Sequence, residues 1–167
     1  MQLATTDLFR ACWTDAIHEE WIRNVLANRP DLSRERIERT RDLMNTSVLD
    51  SVVFDYEHFI PVIELPDEND RHVVAAAIRC GASAIVTYNT KDFPVSELRK
   101  YDLEAIEPDN FLVQQLHLSE ASVIESAKKV RNRLKNPRHS AEEYLQTLER
   151  QQLPKTVTLL RAFQELI

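Results

Sequence analysis

The sequence predicts an α/β protein: a parallel sheet flanked by helices, followed by an all-helical C-terminal extension. Three observations predict it. One Gly among 167 residues leaves few places for positive backbone φ, which disfavours hairpin-rich all-β folds. The run Ala84-Ile85-Val86-Thr87-Tyr88 is apolar and β-branched, the composition of a buried parallel strand. From Asp109 onward the pattern is helical to the end of the chain. The same Gly count rules out Walker A and Rossmann phosphate loops, which need several.

The elements follow in order. Thr14 caps a helix over residues 15–27 with Ile17, Trp21 and Val25 on one face, and Pro30 lies beyond its end. Ser33 caps a second helix over residues 33–46, where Ile37, Met44 and Val48 recur at helical spacing. Ser51-Val52-Val53-Phe54 is a short strand candidate. Ile60 to Leu65 is apolar and β-branched until Pro66 and an acidic cluster interrupt it. Val73, Val74, Ala77 and Ile78 mark a helix that Gly81 ends at its C′ position. Residues 84–88 are the strand named above, and residues 89–94 its polar exit loop. Leu103 to Ile106 is a last strand. Helices follow near residues 109–116, 120–135, 141–150 and 155–166, separated by prolines at 137 and 154. The division is a body over residues 1–118 and a helical extension over 119–167.

At 43% hydrophobic and 29% charged the chain can build a core and is ordinary in charge. Two cysteines exclude a disulfide scaffold and four-cysteine zinc sites, and both read as buried hydrophobes. No apolar run approaches the roughly 18 residues of a membrane span, and the N-terminus lacks signal-peptide character. A cytoplasmic protein is expected. The net charge of −6 hides an asymmetry: residues 1–127 carry 12 Lys and Arg against 23 Asp and Glu, and residues 128–167 carry 9 against 4. Lys128, Lys129, Arg131, Arg133, Lys135 and Arg138 fall in a stretch without an acid. That stretch is either a footprint for RNA phosphates or a solvated face paired with acids of the same protein.

Three acidic sites stand out. Glu20 lies on the first helix. Asp67 and Asp70 are spaced i, i+3 around the start of the Val73 helix. Asp92 follows the Ile85 strand, three residues after Asn89. Ligands of open α/β sheets bind beyond the carboxyl ends of the strands, and hard cations take carboxylate oxygens. Such a set suits metal-assisted hydrolysis of a phosphodiester. Each site also has a plainer reading. Asp67 and its neighbours can be a helix start, where acids favour the positive dipole end. Asp92 can be a turn residue, and Glu20 part of a solvated face. The five histidines form no metal pattern, and His72 reads as a helix-surface or core-edge residue.

The string Leu65-Pro66-Asp67-Glu68-Asn69-Asp70-Arg71-His72-Val73-Val74-Ala75-Ala76-Ala77 and the segment from Ala84 to Pro94 resemble the second half of a PIN domain. That is the metal-dependent ribonuclease fold of bacterial VapC-type toxins. Trp13-Thr14-Asp15-Ala16-Ile17-His18-Glu19-Glu20-Trp21 is similar to the helix carrying that family's acidic residue. The resemblance implies that Glu20, Asp70 and Asp92 are catalytic and hold Mg²⁺ or Mn²⁺, with Asp67 assisting and Thr87 and Asn89 beside the metal. It also implies an endoribonuclease acting on RNA and a cognate antitoxin that blocks the site. The segments at residues 134–137 and 141–145 resemble the helical extension of a larger VapC subgroup.

One feature departs from the family, which opens with a strand ending in Asp-x-Asn/Ser and a metal-ligating Asp. No such strand is expected here. Asp50-Ser51-Val52-Val53 has its Ser at the wrong offset and follows the second helix. Three explanations are open: a start at an internal Met, a strand supplied by a second chain or a swapped copy in a homodimer, or a catalytically inactive protein that binds RNA or antitoxin.

Overall fold

The computed structural model describes residues 1–167 and divides them into two compact units. The first comprises Arg10–Ile85 and Asn89–Ala105. Helix α1 (Asp15–Asn28) starts where predicted, the Thr14 hydroxyl accepting the Ile17 N–H. Its inward face differs from the predicted one. His18 and Ile22 are buried, while Ile17, Trp21 and Val25 are half-buried. A polar network decides the rotation: the Trp21 indole N–H donates to His18 Nδ1 at 2.8 Å, and His18 Nε2 bonds Asn45 Oδ1 at 2.9 Å. The Trp13 indole N–H donates to the same Asn45 oxygen at 2.6 Å. Nδ1 accepts, so Nε2 carries the hydrogen. Asn45 comes from α2 (Arg34–Ser47), which Ser33 caps as expected.

Ser51–Phe54 does not form the expected strand. Val52 makes one isolated parallel bridge to Trp13, through Trp13 N–H to Ser51 O and Val53 N–H to Trp13 O, both 2.8 Å. Asp50 and Asp55, on either side, adopt φ of 53° and 57°, and a left-handed residue cannot continue a strand. The apolar, β-branched run at residues 60–65 begins inside a turn. Glu57–Val62 is a 3₁₀ helix containing Pro61, whose missing N–H suits a turn better than a ladder.

Helix α3 (Arg71–Cys80) buries Val74, Ala75, Ala76 and Ala77, and Gly81 ends it at φ 64°. The small alanines let the Glu57–Val62 turn pack closely on it. Around them lie Val53, Ile63, Leu65, Phe93, Leu98 and Leu103. The sheet has two strands, β1 (Ala84–Val86) and β2 (Glu104–Ile106). The bonds Glu104 N–H to Ser83 O and Thr87 N–H to Ile106 O advance together along both strands, so they run parallel. Only Ile85 of β1 is buried, and Val86 is 45% exposed, so β1 is not the fully buried strand its composition suggested. No strand precedes α1. Residues 1–14 hold a 3₁₀ turn at Gln2–Thr5 and the bridged Trp13. Between the strands, α4 (Val95–Leu98) buries Glu97, whose carboxylate pairs with Lys100 at 2.5 Å and accepts the Glu64 N–H at 3.1 Å.

The second unit comprises Met1–Phe9, Val86–Tyr88 and Ile106–Ile167. It contains α5 (Pro108–Leu118), α6 (Glu120–Arg133), α7 (Ala141–Arg150) and α8 (Pro154–Leu160), close to the helices expected from sequence. Leu116, Val123, Tyr144, Leu145, Val157 and Leu160 form its core. Ser140 and Glu143 make a reciprocal capping box on α7.

Scarcity of glycine does not bar positive φ in this chain. Asp7, Asp50, Asp55, Asp102 and Gln152 all adopt it. Asp tolerates the left-handed region because its short carboxylate can bond locally.

Candidate active site

Four acids from three chain segments act together, the other three placing Asp70 in their electric field. Glu20 stands on α1. Asp67 caps the 3₁₀ turn Glu68–Asp70, its Oδ1 accepting Asn69 N–H and Asn69 Nδ2, both at 2.9 Å. Asp70 occupies the N-cap position of α3, yet its side chain makes no capping bond. Asp92 ends the 3₁₀ turn Thr90–Asp92 after β1, and its Oδ2 accepts a short bond from Asn89 Nδ2. Burial, then the charges of Asp67, Asp92 and Glu20, push the Asp70 carboxyl above its ordinary value.

Glu19, Glu20, Arg23, Asp67, Asp70 and His72 line an open cleft of about 630 Å³. Asp92 and Asn89 are not in its wall, and Asp92 reaches the group through its field on Asp70. Thr87 follows β1, in the second unit, with its N–H on Ile106 O. Glu19 is taken by Arg34 Nη2 at 2.5 Å, which leaves Glu20 as the acid of that pair without a cation partner. Glu20 Oε1 instead meets His72 Nε2 at 3.2 Å. The sequence placed His72 at the helix surface or core edge, where it is half-buried, but did not foresee its bond to Glu20. Its signal was its place in the first turn of α3, two residues after Asp70.

The basic residues belong to the second unit. Lys128, Lys129, Arg131 and Arg133 lie on α6, and Lys135 and Arg138 face each other across an isolated antiparallel bridge. Lys129 pairs with Glu125 at 2.7 Å. Arg131 is half-buried and donates to His139 O at 3.4 Å, while the other five are exposed. The cysteines are half-buried rather than buried. Burial, then the neighbouring Cys80 thiol, push the Cys12 thiol up to about 11.

A PIN-domain family model matches residues 1–91, a span that includes α1, α3 and the three acids before β1. The chain belongs to the PIN-domain family. A model of the VapC50 C-terminal domain matches residues 108–162, the span of α5 to α8, so the expected VapC-type PIN protein with a helical extension is what the chain is. It is also 53% identical over 51 residues to "Putative ribonuclease VapC50" of Mycobacterium tuberculosis (strain ATCC 25618 / H37Rv), a match covering 30% of each chain. No solved structure matches. No helix of the PIN protein is long and apolar enough to cross a membrane.

PIN-domain nucleases generally use divalent metals. As they stand, no three His, Cys, Asp or Glu residues of this chain converge closely enough to hold an ion. The donor chemistry nevertheless fits. The acids offer carboxylate oxygens, which Mg²⁺ and Mn²⁺ prefer, and their mutual repulsion at Asp70 is what a divalent cation would relieve.

Proposed function

We propose that this PIN protein is a divalent-metal-dependent endoribonuclease of VapC type, cleaving RNA phosphodiesters at the acidic cleft. The observation that carries the reading is Asp70: a half-buried carboxylate, free of capping duty, held in the field of Asp67, Asp92 and Glu20. Glu20, Asp70 and Asp92 would hold Mg²⁺ or Mn²⁺, with Asp67 fixed by Asn69 beside them. A cation held there would supply Lewis-acid chemistry, activating a water and offsetting the charge that develops on the phosphate oxygens.

The chain's own residues do the rest. Glu20 is oriented from α3 by His72, and Asp92 is held by Asn89, so two of the three acids keep fixed rotamers. Thr87 and Asn89 belong to the polar surroundings of the site in this reading. Lys128, Lys129, Arg133, Lys135 and Arg138, exposed along the C-terminal half of α6 and the following loop, guide the RNA backbone, with Arg131 shaping that loop through His139. The nuclease body is residues 1–118 and the helical extension 119–167. The protein works in the cytoplasm, and its partners are RNA, a cognate antitoxin and a second chain, as a homodimer copy or a strand donor to the two-stranded sheet.

RNA cleavage with Mn²⁺, against EDTA and against Asp70→Asn and Asp92→Asn, tests the reading. Metal-dependent cutting that falls by about a hundredfold or more in each variant is expected. Metal-independent cutting, or cutting unchanged in Asp70→Asn, refutes it. RNA binding without cutting would mark an inactive binding protein instead. Lys128→Ala and Arg133→Ala should each flatten the salt dependence of RNA binding by about 0.7 in slope.

A further inference from the structure

The His72–Glu20 contact carries an inference that deepens, and rests on, the nuclease reading. The His72 ring is 14% exposed and Glu20 34%. An ionised carboxylate only accepts hydrogen bonds, so at 3.2 Å His72 Nε2 is the donor to Glu20 Oε1. The other ring nitrogen, Nδ1, is enclosed and has no partner. Glu20 is therefore the ring's one hydrogen-bond partner, while the ring's charge also acts on Asp70. The ring springs from the first turn of α3, whose next residues, Val74 to Ala77, are buried in the core. Its base is rigid.

The adjacent acid shows what this arrangement avoids. Glu19 is bound by Arg34 at 2.5 Å, a cation that neutralises it. Glu20 is held by a ring N–H at one oxygen, which fixes the rotamer and leaves the second oxygen to another ligand. A free glutamate side chain loses rotamer freedom when it is ordered. A preset carboxylate has already met that cost before any cation arrives.

We propose that His72 is a positioning residue: it acts through Glu20, presetting that carboxylate for a divalent cation in the cleft. An ordinary tie between α1 and α3 would affect stability alone, so the readouts are chosen to separate the two roles.

The experiment measures Mn²⁺ binding by calorimetry, RNA cleavage and metal-free thermal unfolding on the full chain. The variants are His72→Leu, His72→Gln, Glu20→Gln and the double variant His72→Leu/Glu20→Gln. His72→Leu should weaken Mn²⁺ binding about 10–100-fold and lower kcat with little change in KM for RNA. His72→Gln, whose amide N–H reaches as far as Nε2, should restore binding to within a few-fold. In the Glu20→Gln background, His72→Leu should add nothing further. Should the Leu variant fail to fold, His72→Asn, whose amide stops short of Glu20, replaces it with the same expectation.

Mn²⁺ binding unchanged in His72→Leu overturns the proposal. So does an equal loss in both backgrounds, because His72 would then act independently of Glu20. A lowered melting temperature with binding and kcat intact overturns it in favour of the plain tie. A wild-type chain that neither binds Mn²⁺ nor cuts RNA overturns the nuclease reading and this inference with it. A wild type that does both while His72→Leu matches it overturns the inference alone.

Discussion

Replacing Asp109 by Ala should unfold the helical extension early, and the structure gives the size of the effect. Helix α8 begins at Pro154 with no side-chain cap of its own. Its free N–H groups are met by Asp109 of α5: Oδ2 accepts Lys155 N–H at 2.9 Å, and Oδ1 accepts Thr156 N–H at 2.9 Å and the Thr156 hydroxyl at 2.7 Å. Asp109 is 6% exposed and Thr156 2%, so water cannot replace the lost acceptor. A missing cap alone costs about 0.5–2 kcal/mol, and each buried polar group left unpaired about 1–3 kcal/mol. These terms overlap, which puts Asp109→Ala at about 3–4 kcal/mol.

Asp109→Asn keeps one acceptor oxygen but turns an NH₂ toward an N–H, and should lose about 2 kcal/mol. Urea unfolding followed by circular dichroism at 222 nm reads the helical loss. Indole emission reads the other unit, because both tryptophans lie in Arg10–Ile85. Burial alone would raise the Asp109 carboxyl, but its bonds from Thr156 and Lys155 prevail and hold it below 3.8. The stabilisation is therefore complete above pH 3.8 and is lost as pH falls through the lowered folded value. The gap between wild type and Asp109→Ala should narrow there. A loss under about 1 kcal/mol, or an Asn variant as stable as wild type, would refute the capping argument.

Three further outcomes are expected. Asn45→Leu strands the Trp13 indole N–H and His18 Nε2, residues 7% and 1% exposed; it should cost about 2–4 kcal/mol and shift tryptophan emission, and an unchanged urea midpoint would count against the network. Gly81→Ala meets no atom within 4 Å of the new Cβ but must hold φ +64°, so it should lose about 1–2 kcal/mol with no change in spectra, as urea unfolding will show. Cys12, raised from 9.0 to about 11, should be alkylated near pH 8 about a hundredfold more slowly than a free thiol, since only the thiolate reacts; rapid labelling of Cys12 in the folded protein, resolved by mass spectrometry, would contradict its enclosure.

Local rules were legible where the structure obeys local causes. Thr14, Ser33 and Ser140 cap helices because a hydroxyl before a helical run has free N–H groups within reach. Gly81 ends α3 because a left-handed residue was needed there. The rotation of α1 was not legible, since it is set by Asn45 and Trp13, residues outside the helix. Nor was the failure of the strand at Ser51–Phe54. Asp50 and Asp55 flank it in a conformation that composition assigned to glycine. Asp109 is another such case. It opens a helix, which reads as an N-terminal acid on α5, but its carboxylate caps a helix that begins 45 residues later.

The candidate site divides along the same line, and the division bears on its chemistry. The helix-start reading of the acidic cluster accounts for Asp67, which does bond the turn that follows it. It does not account for Asp70, which holds the N-cap position and caps nothing. An acid that served the helix dipole alone would gain from the nearby N–H groups, and its pKa would fall. Asp70 shifts the other way, because burial and three more carboxylates outweigh that gain. Neither the fold nor the helix is served by crowding those charges, which is what the proposed cation site requires: stability given up locally for a ligand of opposite charge. Asp70→Asn separates the two demands: the metal-free protein should become more stable, while any stabilisation by added Mn²⁺ disappears. Thermal unfolding with and without MnCl₂ checks both halves. A variant less stable than wild type without metal would mean that Asp70 serves the fold after all.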